Sequence, residues 1–585
     1  MNKQITRHSR ALTVQFLAFA MMVLALQSVA LGQQPDQKAA KIDEVMTLAN
    51  KYRLFNGSVL VAENGKVIYK KGFGLANMEW NIPNTTETRF RLGSITKQFT
   101  AALILQLVEQ GKIKLDGKIT DYLPDYRKDT GDKVTVHQLL NHTSGIPSYT
   151  GLPTFRDDVS RNPYTVVDFV KKFASNDLEF EPGSKFSYNN SGYFLLGAII
   201  EKVTGQTYEQ VLKEKILDPL GMKSTGYDHH GTILEKRASG YQKTADGYVN
   251  APYLDMSLPY AAGSMYSTVD DLYLWDQALY TDRVLSAQSK ELMYKPGLQD
   301  YAYGWVIAKA KLGTGTETAP TVGHGGGING FNTSIERFPT QKHLIVLLDN
   351  TSQGANLGRL ERAITNILYN QPFELPRLPL AGVLLKTIEA KGSDAAVVQY
   401  RDLKTKQASV YDFSEPELNR LGYQLLQSKK LKEAVEIFKL NVEAYPQAFN
   451  TYDSLGEAYM TSGNTELAIQ NYKKSLELNP QNADATAMLK RLENKTPAVD
   501  PKRFDAYVGD YEASPTFIVK MFKDGEKLMT QATNQPAFEL HPEGADKFFL
   551  TAVEAKVSFV RDDKGAVKGL VIHQNGQEVP AKKIN

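Results

Sequence analysis

The stretch Ser94-Ile95-Thr96-Lys97-Gln98-Phe99 opens an apolar run that reaches Gln110 and is closed by Gly111. Phe99, Ala102, Leu103, Leu105 and Leu107 wrap more than one face of this run, the pattern of a helix buried in a core. The serine and the lysine are three residues apart and share one face of that helix. A chain of this size meets S-x-x-K by chance on the order of once or twice, so the setting carries more weight than the letters. Ser94 stands at a helix N-terminus, where free N–H groups favour developing negative charge. Lys97 lies one turn inside, where burial disfavours the ammonium form. A neutral Lys97 can take the proton from Ser94 during nucleophilic attack. The bland alternative is a capping serine beside a snorkelling lysine.

Two more elements extend the pattern. In Tyr188-Asn189-Asn190, the preceding Lys185–Tyr188 reads as extended and Gly192 onward as an apolar helix, so Tyr188 and Asn190 are expected at a strand-to-helix junction. Tyr248-Val249-Asn250 fits the same Y-x-N pattern but runs into Ala-Pro, and is set aside. In Gly323-His324-Gly325-Gly326-Gly327, glycines crowd ahead of the strand-like Phe331–Phe338, which implies backbone lying close to a neighbour. The adjacent His229-His230 has no carboxylates at ligand spacing and reads as surface. Neither G-x-S-x-G nor H-E-x-x-H occurs.

These three motifs, in this order, together with Leu139-Leu140-Asn141-His142-Thr143-Ser144-Gly145-Ile146-Pro147, resemble the class C β-lactamase and penicillin-binding-protein-like serine hydrolases. That group includes D-alanyl-D-alanine carboxypeptidases, D-aminopeptidases and esterases. The resemblance covers about residues 45 to 370. It implies an α+β, β-lactamase/transpeptidase-like catalytic domain that uses neither metal nor cofactor. It implies Ser94 as the acylated nucleophile, Lys97 as its activator and Tyr188 as the proton shuttle to the leaving group. Asn190 would position Lys97 or the substrate, Gly326 would end the third motif, and the N–H groups of Gly327 and Ser94 would form the oxyanion hole. One departure stands out. Lactamases of this type carry lysine at the first position of the third motif, where this chain has His324. Histidine with an ordinary pKa near ~6.5 is largely neutral at pH 7, so carboxylate-bearing substrates, penicillins included, are expected to bind less well.

Outside this region the chain changes character. Residues 1–32 have a positive start (Lys3, Arg7, Arg10), an apolar run from Ala11 to Leu26 and small residues at Ser28–Gly32, and read as a cleaved export signal. The mature protein is then periplasmic or secreted, with no stable membrane span. The catalytic domain is placed at 36–372, with Pro372, Pro376 and Pro379 punctuating its end, followed by a linker over 373–412 read as a helical connector. Over 413–492, Gly422/Gly456, Leu421/Leu455, Ala434/Ala468, Phe438/Tyr472 and Pro446/Pro480 are all 34 apart, which resembles tetratricopeptide repeats and offers a surface for a protein partner. Residues 500–585 alternate in short runs around Asp-Gly, Lys-Gly and Asn-Gly turns and are expected to form a small antiparallel β domain.

Composition narrows the function classes. The 585 residues contain no cysteine, which excludes disulfides, thiolate metal sites and a cysteine nucleophile. Lys plus Arg (68) nearly balance Asp plus Glu (65) with no basic stripe, so nucleic acid is not an expected partner. The leading expectation is a hydrolase of small-molecule or peptide esters and amides. The alternative is an interaction or sensor module acting through the repeats.

Overall fold

The computed structural model describes residues 34–493 and 501–584, apart from short stretches at 153, 156–157, 245–246, 516, 526, 534, 543–545, 551–554 and 575–576. The export signal lies outside the described residues. The chain divides into two compact units: one comprises residues up to Gly382 plus Lys406–Asp412, and the other comprises Val383–Thr405 and Phe413 onward.

In the first unit, helix α1 (Gln34–Lys51) precedes the hairpin β1 (Gly57–Glu63) and β2 (Lys66–Phe73), joined at Asn64-Gly65 as the turn residues require. A 3-10 turn at Gly93–Ile95 leads into α2 (Thr96–Glu109), whose first ten residues and Leu107 are buried. Helix α3 (Asn190–Thr204) and helix α4 (Val269–Ala278) belong to the same helical layer. Strands β3 (Val306–Lys311), β4 (Thr318–Ile328), β5 (Phe331–Phe338) and β6 (His343–Asp349) complete a six-stranded antiparallel sheet in the order β3-β4-β5-β6-β1-β2. Helix α5 (Gly354–Leu368) follows.

The sheet is buried on both faces, and the period of two decides which residues go where. Leu60, Ala62, Leu344, Val346 and Leu348 join the large core shared with α2, α3 and α4. Their neighbours Val59, Val61, Ile345 and Leu347 join a second core with α1 and α5. The sheet is therefore the middle layer of an α/β/α sandwich, with the helical layer carrying Ser94 on one side.

In the second unit, α6 (Leu380–Lys391, beginning in the first unit) and α7 (Ser393–Lys406) occupy the region read from the sequence as linker. The 34-residue period then appears as helix pairs: α8 (Glu415–Gln427) with α9 (Leu431–Ala444), and α10 (Phe449–Thr461) with α11 (Thr465–Leu478), followed by α12 (Ala483–Glu493). The repeated glycines have a packing cause. A Cβ on Gly422 would lie 2.5 Å from the Phe438 ring, and one on Gly456 would lie 3.1 Å from Tyr472. The eight C-terminal strands, from Gly509–Ser514 to Gln577–Lys583, close in chain order into an antiparallel barrel around Tyr507, Tyr511, Met521, Phe548 and Phe559.

Glu336 of β5 and Glu361 of α5 are both partly buried and interact electrostatically, and Ser334 Oγ donates to Glu361. Burial first, then the Glu336 charge, pushes the Glu361 carboxyl up to about 7. A carboxyl raised in the folded state stabilises the fold at low pH, and that contribution is lost as pH rises through the folded value. Glu361→Gln should therefore flatten the fall in stability between about pH 4.5 and 7.5 and gain roughly 1–2 kcal/mol at its upper end. Denaturant midpoints measured across that range test this; parallel curves for both proteins would refute it.

Candidate active site

The Gly93–Ile95 turn brings Ser94 to the sheet, and its first residue requires glycine. Gly93 has φ +55°, and a Cβ there would sit 3.0 Å from the Gly327 backbone. Thr333 Oγ1 donates to Leu92 O (2.7 Å) and ties the turn to β5. Ser94 precedes the first α-helical residue, Thr96, by one 3-10 turn, so the expected helix-start setting includes a tighter lead-in.

Lys97 is fully buried, and its Nζ has three partners: Ser94 Oγ at 2.9 Å, Asn190 Oδ1 at 2.8 Å and Ala262 O at 2.9 Å. Two of these are amide oxygens that can only accept. A neutral amine has two N–H donors and one lone pair. Its donors are used by Asn190 and Ala262, which leaves the lone pair for the Ser94 hydroxyl. Burial holds the Lys97 pKa well below its usual value, which favours this neutral form.

Tyr188 lies in the loop before α3 rather than on a ladder-forming strand, because residues 184–189 make no strand pairing. Its ring centroid is 4.9 Å from Lys97 Nζ. The residue keeps 38% of its surface open, yet the surrounding protein pushes its phenol pKa up, and a hydrogen bond with Ser94 opposes that rise. Asn190, the first residue of α3, is held from the other side by Thr150 Oγ1, which accepts from its Nδ2 (3.1 Å). The capping oxygen of Asn189, which accepts the Gly192 N–H, starts the helix here.

The glycine motif precedes the strand Phe331–Phe338 as expected, and it is itself extended: Gly323–Gly327 is part of the second half of β4, paired with β5 from Gly327↔Asn332 back to Gly323↔Glu336. The residue types are poor strand formers, and tertiary pairing overrides that preference. Strand β3 pairs with β4 only as far as Gly323. From His324 to Ile328, one edge of β4 therefore has no strand neighbour, and the Ser94 turn packs against it. A Cβ on Gly326 would lie 1.9 Å from Leu92 O.

His324 is buried on the same side as Tyr188, with ring centroids 6.2 Å apart. Its Nε2 and the Tyr301 hydroxyl are 2.9 Å apart, and its Nδ1 lies 2.5 Å from Gly325 O. Burial, above all, pushes its pKa down to about 4. At pH 7 this histidine is therefore neutral.

Two site residues had no assigned role in the sequence. Tyr301, from the loop before β3, partners His324. His142, in the Leu139–Pro147 loop, is fully buried with φ +62°. Its Nδ1 accepts the Asn189 N–H (3.1 Å), so a neutral ring carries its proton on Nε2, which has no hydrogen-bond partner among the described residues. Tyr188, Tyr301 and Tyr193 surround the ring at 4.3, 4.5 and 5.2 Å between centroids. The other candidates lie elsewhere: Tyr248–Asn250 forms a two-stranded sheet with Tyr241–Lys243, and His229 meets Glu209 at 2.9 Å. Among the described residues, no cluster suited to a metal is present.

Comparison with known proteins identifies the family. The Beta-lactamase family model matches residues 38–368, more than half the chain, and the chain belongs to that family. A penicillin-binding protein of Bacillus subtilis (strain 168) is 32% identical over 358 residues, covering 57% of this chain and 76% of that protein. A D-amino acid amidase from Ochrobactrum anthropi SV3, solved with L-phenylalanine amide, is 26% identical with a TM-score of 0.50, over 58% of this chain and 99% of that one. A TPR repeat model matches residues 456–486, and a domain of unknown function, DUF3471, matches 493–583. The protein is thus a penicillin-binding-protein-like serine hydrolase by family.

The close approach at Gly326 yields a direct test. Gly326→Ala should force β4 away from the Ser94 turn and lower kcat by about 10²-fold or more, with the circular dichroism spectrum retained. Unchanged kcat would contradict the packing.

Proposed function

We propose that this protein is an exported serine hydrolase that cleaves an ester or amide, of the peptidase or esterase type, through an acyl-enzyme on Ser94. The observation that carries the reading is the Lys97 hydrogen-bond set, in which two obligate acceptors leave the lone pair for the Ser94 hydroxyl.

Ser94 Oγ attacks the substrate carbonyl carbon while its proton passes to Lys97 Nζ. The N–H groups of Ser94 and Gly327 receive the oxyanion. Tyr188, kept as a phenol by its raised pKa, hands a proton to the departing alkoxide or amine and is resupplied from Lys97. Water then attacks the acyl carbon by the reverse proton route, releasing the acid and restoring the Ser94 hydroxyl. Asn190 orients Lys97 throughout, and no cofactor enters these steps.

Neutral His324 offers no fixed cation for a substrate carboxylate, which supports peptidase or esterase activity over lactam hydrolysis. The amidase relative is consistent with amide cleavage. The residues at 1–32 support export to the periplasm or exterior, and no described helix is long and apolar enough to cross a membrane. The repeats supply a surface on which a protein partner can bind.

A fluorophosphonate probe should label the wild-type protein stoichiometrically and leave Ser94→Ala unlabelled; labelling that persists in Ser94→Ala would overturn the proposal. Activity should fall as pH drops through the lowered Lys97 pKa, since only the neutral amine accepts the proton. Lys97→Arg, which cannot deprotonate, should lose about 10³-fold in kcat. Separately, His324→Lys should raise nitrocefin turnover relative to p-nitrophenyl acetate by about tenfold. An unchanged ratio would remove the role given to this histidine.

A further inference from the structure

The cleft beside Ser94 has two unlike flanks. On one stand Tyr188, His324 and Tyr301, all with polar tips. The other is a cavity of about 130 Å³ that Ser94, Asn190 and Gly327 line together with Tyr149, Phe155, Leu254, Leu258 and Ile328. Tyr188 and His324 do not line this cavity. If Tyr188 serves the leaving group, as in the reading above on which this inference rests, the cavity receives the acyl portion of the substrate.

The polar groups around the cavity are already committed to one another. The Tyr149 hydroxyl donates to Leu258 O (3.0 Å), Asn190 is shared between Lys97 and Thr150, and Asn329 Nδ2 donates to Pro252 O (2.9 Å). No lysine, arginine, aspartate or glutamate among the described residues lines the space. An ionised group placed there would lose part of its hydration and gain no oppositely charged partner among the described residues, whereas apolar surface gains from leaving water. The volume falls below the ~300–1,000 Å³ of pockets that hold drug-sized ligands, which fits a short chain.

We propose that the protein selects acyl donors with a short, uncharged, apolar acyl group, and discriminates against donors bearing a carboxylate or an ammonium on that portion.

Four p-nitrophenyl esters separate charge from size: pentanoate, methyl adipate, free-acid adipate and 4-(trimethylammonio)butanoate. They are assayed on the full-length protein, with active sites counted by the fluorophosphonate probe. The two neutral esters should agree within a few-fold in kcat/KM, and both charged esters should be at least tenfold slower. Ile328→Lys, at a partly exposed wall position, should raise the rate on free-acid adipate at least fivefold relative to methyl adipate. Asn329→Lys provides a second site for the same gain. Equal rates on charged and neutral esters, with labelling intact, would overturn the acyl-pocket inference alone. Absence of Ser94 labelling would overturn this inference together with the hydrolase reading.

Discussion

Everything at this site depends on keeping one lysine dry. An ammonium at Lys97 would find three acceptors, two amide oxygens and a hydroxyl, but no carboxylate among the described residues to compensate for its lost hydration. Those oxygens come from distant parts of the chain: Asn190 at the start of α3, and Ala262 from the short helix Tyr260–Gly263. The helical layer must therefore be assembled before the base acquires its low proton affinity. The sheet contributes in the same sense, because the Gly93–Gly327 contact fixes where Ser94 lies relative to the free edge of β4.

Local features of the fold were legible because they obey short-range rules. Asn64-Gly65 marks a hairpin through its turn chemistry, and the apolar wrap from Phe99 to Leu107 marks a buried helix. The 34-residue period was visible because each repeat must present the same small residue to the same aromatic. The strand after the glycine motif was legible, but the motif's own extended form was not, since its residues have weak strand preference and only the pairing with β5 makes them a strand. The connector's helical character was legible, but its division into the two helices at 380–406 was not, because they lack the period that marks the later pairs.

At the site, Ser94, Lys97, Tyr188, Asn190 and His324 could be picked out because each lies in a short motif. Ala262 could not, since it acts through a backbone oxygen, which leaves no trace in residue type. Tyr301 and His142 were equally hidden in function. Their importance comes from a contact made across the fold, and a lone tyrosine or histidine in a sequence is ordinarily part of a core. The Leu139–Pro147 loop was recognisable as a motif, yet only the structure brings His142 behind Tyr188 and Tyr301.

The neutrality of Lys97 and His324 has a consequence for encounter with the substrate. A cleft lined with charge gathers oppositely charged molecules from beyond contact distance, and dissolved salt weakens that pull. This cleft projects no such field from its own bases. Any long-range pull on a charged substrate must therefore come from groups other than this pair.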